Sequence, residues 1–223
     1  MDTVSIIALS MGAAWASGIN LYATILVLGY MGLTGNIDLP PELQVLTDPL
    51  VMTAAGLMYC VEFFADKVPG VDSGWDTIHT FIRIPAGAML AAGAIGDVTP
   101  ALELSAALLG GTLAAGSHAT KMGSRLLINT SPEPITNWTA SISEDLLVIG
   151  GLWAALYHPV LFLIGLFVFI LLMIWMLPRL WRLLKRTFRR IGSWMGLCDT
   201  AEKVTVSDNE NILLHHNNRQ KQD

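Results

Sequence analysis

Long apolar runs separated by short polar connections organise this chain. Residues 6–33 and 160–177 contain no charged side chain, and each run is long enough to cross the roughly 30 Å hydrocarbon core of a bilayer as an α-helix. The pattern predicts six membrane-spanning helices, at about residues 5–33, 49–66, 77–96, 101–121, 141–157 and 160–178. The first run is long enough to be interrupted and the fifth is barely long enough to span. A broken first helix and a re-entrant fifth segment therefore both stay open.

Composition agrees with this pattern. Of the 223 residues, 53% are hydrophobic and 14% are charged, a balance typical of proteins embedded in a membrane. We therefore expect an all-α polytopic membrane protein with about six transmembrane helices.

The positions of lysine and arginine predict how these helices are oriented. Cytoplasmic loops of membrane proteins are enriched in basic residues, and with six spans all 13 Lys and Arg side chains fall on one side of the membrane. An odd number of spans would divide them between the two sides. We therefore expect a multi-pass protein of the bacterial inner (plasma) membrane with both termini in the cytoplasm.

The composition changes after Pro178. Residues 179–190 mix basic and apolar side chains, as in an amphipathic helix that lies on an anionic leaflet. A basic flank that continues the last span would have the same pattern. The side chains expected at lipid headgroups are Arg179, Arg182, Lys185, Arg186, Arg189 and Arg190. The sequence thus predicts a membrane domain at 1–178, a basic juxtamembrane segment at 179–198 and a disordered cytoplasmic tail at 199–223.

A short motif recurs at an offset of 63 residues. A proline is followed by a tryptophan at Pro69–Trp75 and again at Pro132–Trp138, and Gly87 aligns with Gly150. The offset favours repeated helical hairpins, which are common in transporters. Chance recurrence of loop residues is the alternative.

The most informative stretch is a block of charge between two apolar runs, at residues 62–87. Ionisable side chains inside membrane segments cost about 2.5–3.5 kcal/mol each on insertion scales, so they need partners. On helices, Glu62 and Asp66 share one face, and His79 and Arg83 share one face. A hairpin between the two helices would bring the acidic pair near the basic pair. The candidate site residues in this block are Glu62, Asp66, Asp72, Asp76, His79 and Arg83.

Two interpretations of this block stay open. It is either a site that binds an ion or an anionic headgroup, or a structural ion-pair network that pins the hairpin. Asn20 and His118 are added to the candidates. Asn20 lies at the centre of the first span, where it indicates either a broken helix that faces a cavity or a hydrogen bond between helices. Lys121 and Arg125 follow His118 on one predicted face, and the preference for basic cytoplasmic loops alone accounts for them.

Two serine–carboxylate pairs have the spacing of a helix-capping box. Ser73 with Asp76 is predicted to start the third span, and Ser141 with Glu144 the fifth. Capping is therefore the role predicted for Glu144.

The block at 62–87, EFFADKVPGVDSGWDTIHTFIRIPAG, and the stretch NLYAT at 20–24 resemble an uncharacterised integral-membrane family. That family is widespread in bacteria and known only as a domain of unknown function. The resemblance covers about residues 4–178. It implies a polytopic inner-membrane protein and brings no established activity, ligand or catalytic residue.

Enzyme signatures are absent from the sequence, which has no G-x-S-x-G, no H-E-x-x-H and no phosphate-binding loop. No catalytic residue, cofactor or metal is therefore predicted. The sequence favours a small transporter or channel-like facilitator for an ion or a small or anionic solute. The alternative is a structural or assembly factor of the cell envelope that docks a protein partner or anionic lipid. Expected partners are the bilayer, anionic lipids at the cytoplasmic face and further copies of this chain; nucleic acid is not expected.

Overall fold

The computed structural model describes residues 2–68, 70–129 and 134–194, with side chains up to Arg179 and at Arg182. Within these ranges the chain is helical and contains no β-strand, which confirms the all-α prediction. The helices are α1 at Thr3–Leu33, α2 at Pro49–Ala65, α3 at Val71–Ala94, α4 at Pro100–Ile128, α5 at Pro134–Tyr157 and α6 at Pro159–Trp194. A short 3₁₀ helix at Pro41–Thr47 precedes α2.

Proline and aspartate mark where several helices begin. The helices α2, α4, α5 and α6 each start with proline, whose missing N–H would have no partner in the first turn of a helix. Asp2 accepts a hydrogen bond from the backbone N–H of Ser5, and Asp48 accepts one from Leu50. Both carboxylates therefore cap a helix N-terminus.

The predicted capping box at Ser73 and Asp76 is wrong as a helix start. The helix α3 begins at Val71, after Gly70 with φ 88°, a left-handed conformation that glycine adopts without strain. The carboxylate of Asp72, rather than that of Asp76, accepts hydrogen bonds from the backbone N–H groups of Gly70 and Ser73.

The predicted capping box at Ser141 and Glu144 is wrong for a related reason. The helix α5 already begins at Pro134, so both residues lie well inside it. The sequence rule set the start of the helix at the start of its apolar run. Both α3 and α5 extend several residues before that run.

The helix α1 lies at the centre of the bundle and packs against α3, α4 and α5. Small residues let the helices approach closely. Gly18 of α1 lies against the backbone of Ala114 on α4, and Gly87 of α3 packs against the side chain of the same alanine. The Ser117 hydroxyl of α4 donates a hydrogen bond to the backbone carbonyl of Trp15 at 3.0 Å. Close packing of small residues is typical of membrane helices.

The outer faces of the bundle are apolar, whereas charged side chains are buried inside it. Exposed apolar side chains on α2 to α6 include Phe64, Phe81, Met89, Leu108, Leu146 and Phe167. This distribution reverses that of a soluble protein and suits a lipid environment. By length and apolar composition, Thr3–Leu33, Ile135–Tyr157 and Pro159–Arg179 can each cross a membrane. The bent pair Pro41–Thr47 and Pro49–Ala65 adds a fourth span if it is counted as one.

The charged side chains of α3 and α4 lower the mean hydropathy of these two helices, although they are as long as a span. The structure therefore has the six predicted helices and supports a membrane-embedded protein. The number of spans stays a prediction.

The helix bounds follow the 63-residue offset of the sequence motif. Three bounds of the hairpin α2–α3 recur 63 positions later in the hairpin α4–α5: Ala65 and Ile128, Val71 and Pro134, and Ala94 and Tyr157. The fourth bound does not recur, because α4 begins at Pro100 and the position equivalent to Pro49 is residue 112. The shared frame therefore covers the turn and the second helix of each hairpin, and it supports the predicted repeat.

The compact unit that contains these hairpins covers residues 1–178. The predicted tail at 199–223 lies outside the described residues, as do residues 195–198 of the basic segment.

Candidate functional site

Seven charged side chains meet inside the bundle and form an ionic cluster. Its members are Glu62, Asp66, Asp76, Arg83, Lys121, Arg125 and Glu144. They come from four helices, α2 to α5, and six of them have side chains that are at most 5% exposed. Glu144, with a side chain that is 15% exposed, is the most accessible member.

Arg83 holds the acidic residues of the first hairpin. Its Nη2 donates to Glu62 Oε1 at 2.6 Å, and its Nη1 donates to Asp76 Oδ1 at 3.0 Å. Asp76 lies two turns before Arg83 on α3, so both side chains point to the same side of the helix. All three side chains are completely buried, and each therefore depends on its partners.

Lys121 of α4 lies at the centre of the cluster. Four carboxylate oxygens surround its Nζ: Asp66 Oδ2 at 3.0 Å, Glu62 Oε1 at 3.3 Å, Glu144 Oε2 at 3.5 Å and Asp76 Oδ1 at 3.7 Å. A fifth oxygen, the backbone carbonyl of Ile19, accepts a hydrogen bond from Nζ at 3.2 Å. Four helices, α1, α2, α3 and α5, thus supply oxygen atoms to one ammonium group.

Arg125 joins α5 to the end of α2. Its Nε and Nη2 donate to the two carboxylate oxygens of Glu144 at 3.0 and 2.7 Å. This is the two-pronged geometry that makes guanidinium–carboxylate pairs strong. Its Nη1 donates to the backbone carbonyl of Asp66 at 2.8 Å.

His118 of α4 contacts two cluster residues of α3, Arg83 and Asp76. Its Nδ1 is 3.1 Å from Arg83 Nη1, and because a guanidinium only donates, Nδ1 must accept this hydrogen bond. The Nε2 atom, 3.1 Å from the backbone carbonyl of Asp76, therefore carries the proton. His118 is thus neutral in this arrangement and adds no charge to the cluster.

The backbone of α1 leaves helical geometry at Asn20, with φ −145° and ψ 99°. The Asn20 Oδ1 accepts from the backbone N–H of Ala23 at 2.9 Å and so caps the second half of the helix. Its Nδ2 donates to Asp145 Oδ1 on α5 at 3.0 Å. Asn20 therefore breaks α1 and also links it to another helix. That the break faces a cavity stays a prediction. The break also leaves the Ile19 carbonyl free to bind Lys121.

Two candidate residues are buried beside the cluster rather than in it. The His79 ring stacks on Trp75 with centroids 4.4 Å apart, and its Nε2 lies 3.0 Å from the Tyr22 hydroxyl. Asp72 accepts two hydrogen bonds from Asn129 Nδ2, each at 2.9 Å. Asp72 and Asn129 therefore tie the ends of the two hairpins together.

Lys67, in the connection between α2 and α3, is also buried, but unlike Lys121 it contacts an aromatic ring. Its Nζ lies 2.8 Å from the centroid of the Phe63 ring and donates to the Phe63 carbonyl at 3.0 Å. Burial lowers the pKa of Lys67, and the nearby carboxylates of Asp145 and Asp66 oppose that shift.

The charges of the cluster do not balance. Four carboxylates face three cations, so the ionised cluster carries one net negative charge. Three carboxylate oxygens in the described part of the chain are buried and have no hydrogen-bond partner: Glu62 Oε2, Asp66 Oδ1 and Asp76 Oδ2. Unpaired buried acceptors are costly, and here they belong to the groups that carry the excess charge.

No group of three or more His, Cys, Asp or Glu side chains within residues 2–68, 70–129 and 134–194 is arranged to hold a metal ion. A cavity of about 330 Å³ lies at the far end of α3 from the cluster. Its lining includes the acidic side chains of Glu42, Asp97 and Glu103.

The structure gathers most of the residues that the sequence singled out. Glu62, Asp66, Asp76 and Arg83 are in the cluster, Asn20 and His118 contact its members or neighbours, and Asp72 and His79 lie beside it. That any of them binds a ligand stays a prediction.

Sequence reasoning did not include Lys121, Arg125, Glu144 and Asp145 among the candidates. One available signal pointed to Arg125, because the 63-residue offset places it at the position equivalent to Glu62.

The headgroup contacts predicted for the basic segment stay predictions. Arg179 and Arg182 are exposed, and the side chains of Lys185, Arg186, Arg189 and Arg190 lie outside the described residues.

Residues 7–179 match a protein-family model described as "Domain of unknown function (DUF4126)". The match confirms the resemblance to an uncharacterised family. Comparison with curated proteins and with solved structures gives no match.

Proposed function

The chain belongs to the DUF4126 family of domains of unknown function, and we propose that it is a small transporter or channel-like facilitator for an ion or a small solute. The observation that carries this proposal is the position of the ionic cluster at the break in α1. There, the Lys121 ammonium binds the freed carbonyl of Ile19.

A purely structural role would require fewer buried charged side chains than the cluster contains. Arg83 with Glu62 and Asp76 is enough to pin the hairpin α2–α3. The cluster also includes Lys121, and through it the interrupted backbone of the central helix. Broken helices whose freed carbonyls face charged groups recur in the substrate and ion sites of transporters. Breaking α1 and burying seven charges both cost free energy, and ionisable side chains that carry such a cost inside membrane segments are usually functional.

A path through the protein would run along α1 past the cluster. Glu144, the most accessible cluster member, lies near the middle of α5. The cavity lined by Glu42, Asp97 and Glu103 lies at the end of α3 that is far from the cluster. The tightly buried side chains of the cluster correspond to a closed state, so transport requires α1 or its neighbours to move.

The test is flux into liposomes that contain the purified protein. Uptake of radioactive sodium, rubidium and chloride is compared with uptake by protein-free liposomes. We expect at least one tracer to accumulate faster with protein, and Glu62→Gln to abolish the difference. Asp38→Asn, which changes an exposed carboxylate outside both the cluster and the cavity, is the matched control and is expected to leave uptake unchanged. Tracer uptake equal to that of protein-free liposomes would contradict the proposal.

One observation favours the second candidate, a structural or assembly factor of the envelope. The cluster side chains are packed shut, with Glu62, Asp76 and Arg83 completely buried. Under this alternative the cluster only holds the bundle together. Glu62→Gln would then destabilise the protein, and no tracer would move in any variant.

The proposed location is the bacterial inner membrane, with both termini cytoplasmic, because this orientation places the basic connections inside. Reporter fusions after Leu39 and Pro100 are expected to be periplasmic, and fusions after Lys67 and Arg190 cytoplasmic. A periplasmic fusion after Arg190 would contradict this orientation. Anionic lipids at the segment 179–190 and self-association are the partners we propose.

A further inference from the structure

We propose that the oxygen atoms around Lys121 form a site for a small monovalent cation, in which the lysine ammonium is the resident occupant. The inference rests on the proposed function, because it names the class of ion that the site takes. A cation would enter when the lysine side chain swings aside on its flexible stem.

The geometry around Lys121 is that of a cation site. Five oxygens lie 3.0–3.7 Å from Nζ. Four are carboxylate oxygens, and the fifth is the Ile19 carbonyl at the break in α1. Alkali cations carry the same single charge as an ammonium group, and carbonyl oxygens coordinate them in channels. The freed carbonyls of broken helices coordinate sodium in transporters.

Charge selects a cation rather than an anion. The cluster carries one net negative charge with Lys121 in place. With the ammonium withdrawn, four carboxylates face only Arg83 and Arg125, and the net charge becomes −2. An anion in this position would increase the repulsion, whereas a monovalent cation returns the net charge of the cluster to −1.

Distance and spare oxygens select a monovalent cation. Magnesium and calcium require oxygen ligands at about 2.0–2.6 Å, which is much shorter than the distances around Nζ. Sodium also prefers short distances, so the spacing favours ammonium and the larger alkali cations such as potassium. In the described arrangement, with Lys121 in place, no group of three or more His, Cys, Asp or Glu side chains among the described residues has metal-ligand spacing, so a cation enters only after the ammonium has moved. The buried oxygens Glu62 Oε2, Asp66 Oδ1 and Asp76 Oδ2 lack partners among the described residues. Each belongs to a carboxylate whose other oxygen lies within 3.7 Å of Lys121 Nζ, so rotation of the carboxylate would turn it towards the vacated position.

The experiment is chemical rescue of purified Lys121→Ala in detergent. Melting temperatures are measured in sodium, potassium, ammonium, magnesium or choline chloride at equal ionic strength. Ammonium or an alkali cation is expected to raise the melting temperature by about 3–6 °C over choline at tenfold excess over its dissociation constant. Lys67→Ala is the matched control, because it removes a buried lysine that lies on an aromatic ring instead of in an oxygen cage. It is expected to show no preference among the cations.

The double variant Lys121→Met with Asp66→Asn guards against failure of Lys121→Ala to fold. It removes one charge of each sign, so the net charge of the cluster is unchanged, and it keeps three of the four carboxylates. It is expected to retain a smaller preference for alkali cations over choline. Equal melting temperatures in all salts, equal rescue of Lys67→Ala, or greater stabilisation by magnesium would each overturn the proposal.

The two proposals fail separately. The rescue experiment measures binding in detergent, whereas the liposome experiment measures flux through the unaltered protein. Rescue by alkali cations without any tracer flux would support the cation site and contradict the transporter. Chloride flux without rescue would support a transporter and overturn the cation site.

Discussion

The hairpins α2–α3 and α4–α5 share one backbone frame but carry opposite charges. Glu62 and Arg125 occupy equivalent positions, 63 residues apart, and one is an acid while the other is a base. Within the cluster, the first hairpin contributes Glu62, Asp66, Asp76 and Arg83, a net charge of −2. The second contributes Lys121, Arg125 and Glu144, a net charge of +1. Neither hairpin can neutralise its own buried charges.

This difference shows that the buried charges of each hairpin depend on partners from the other hairpin. Asp66 and Asn129 both follow the last residue of a helix, at equivalent positions. Asp66 of the first hairpin is bound by Lys121 of the second at 3.0 Å. Asn129 of the second hairpin binds Asp72 of the first at 2.9 Å. The hairpins are therefore held by crossed polar contacts around the broken helix α1.

The largest effect is expected from breaking the most buried pair. Arg83→Met leaves Glu62 and Asp76 without their guanidinium, and losing one partner of a buried ion pair costs about 3–5 kcal/mol. We expect a loss of this size in the free energy of unfolding, measured by denaturant titration in micelles. Removal of a cluster charge from the second hairpin by Glu144→Gln should cost less, because that carboxylate is 15% exposed.

A double variant supplies the control for this prediction. Glu62→Gln together with Arg83→Met should be more stable than the sum of the two single losses predicts, because neither charge is then left alone. Strictly additive losses would mean that the two side chains do not interact.

An intermediate effect is expected at the equivalent glycines Gly87 and Gly150. A methyl group at Gly87 would clash with Ala114 and approach Ser17 Oγ to 2.7 Å, and overpacking costs about 1–3 kcal/mol. At Gly150 no described atom lies within 4 Å of an added methyl group. Gly150→Ala should therefore be neutral or stabilising by up to about 1 kcal/mol through helix propensity. Equal melting temperatures for Gly87→Ala and Gly150→Ala would contradict the packing of α1, α3 and α4.

The smallest effect is expected at the equivalent tryptophans Trp75 and Trp138. Trp75 stacks on the buried His79 ring, and such aromatic pairs contribute about 0.5–1.5 kcal/mol beyond their buried area. Trp138 is half exposed, and its ring lies 5.1 Å from Lys67 Nζ. Trp75→Leu should therefore lower the melting temperature more than Trp138→Leu. The reverse order would argue against the stacked His79.

Apolar runs were sufficient to find all six helices, because burial in lipid makes the outer face of every helix hydrophobic. The first turns of α3 and α5 lie outside the predicted spans because they carry polar side chains that face inward or the ends of the bundle. The capping boxes were misplaced for the same reason.

The part of the site on the first hairpin was predictable because Glu62 and Arg83 interrupt apolar sequence. The part on the second hairpin was not predictable. Lys121 and Arg125 fit the preference for basic residues in cytoplasmic loops, and that preference is the same whether the two side chains are buried or exposed. Asn20 was ambiguous because the same side chain can break a helix and bridge two helices, and here it does both. The net charge of the cluster emerges only when four helices are brought together.

The most direct test of the shared cluster is a double-mutant cycle between Asp66 of the first hairpin and Lys121 of the second. The free energy of unfolding is measured for the unaltered protein, Asp66→Asn, Lys121→Met and the double variant. The crossed arrangement predicts a favourable coupling of about 0.5–3 kcal/mol between the two side chains. A coupling of zero, with both single variants folded, would mean that the hairpins do not share their charges and would contradict the account.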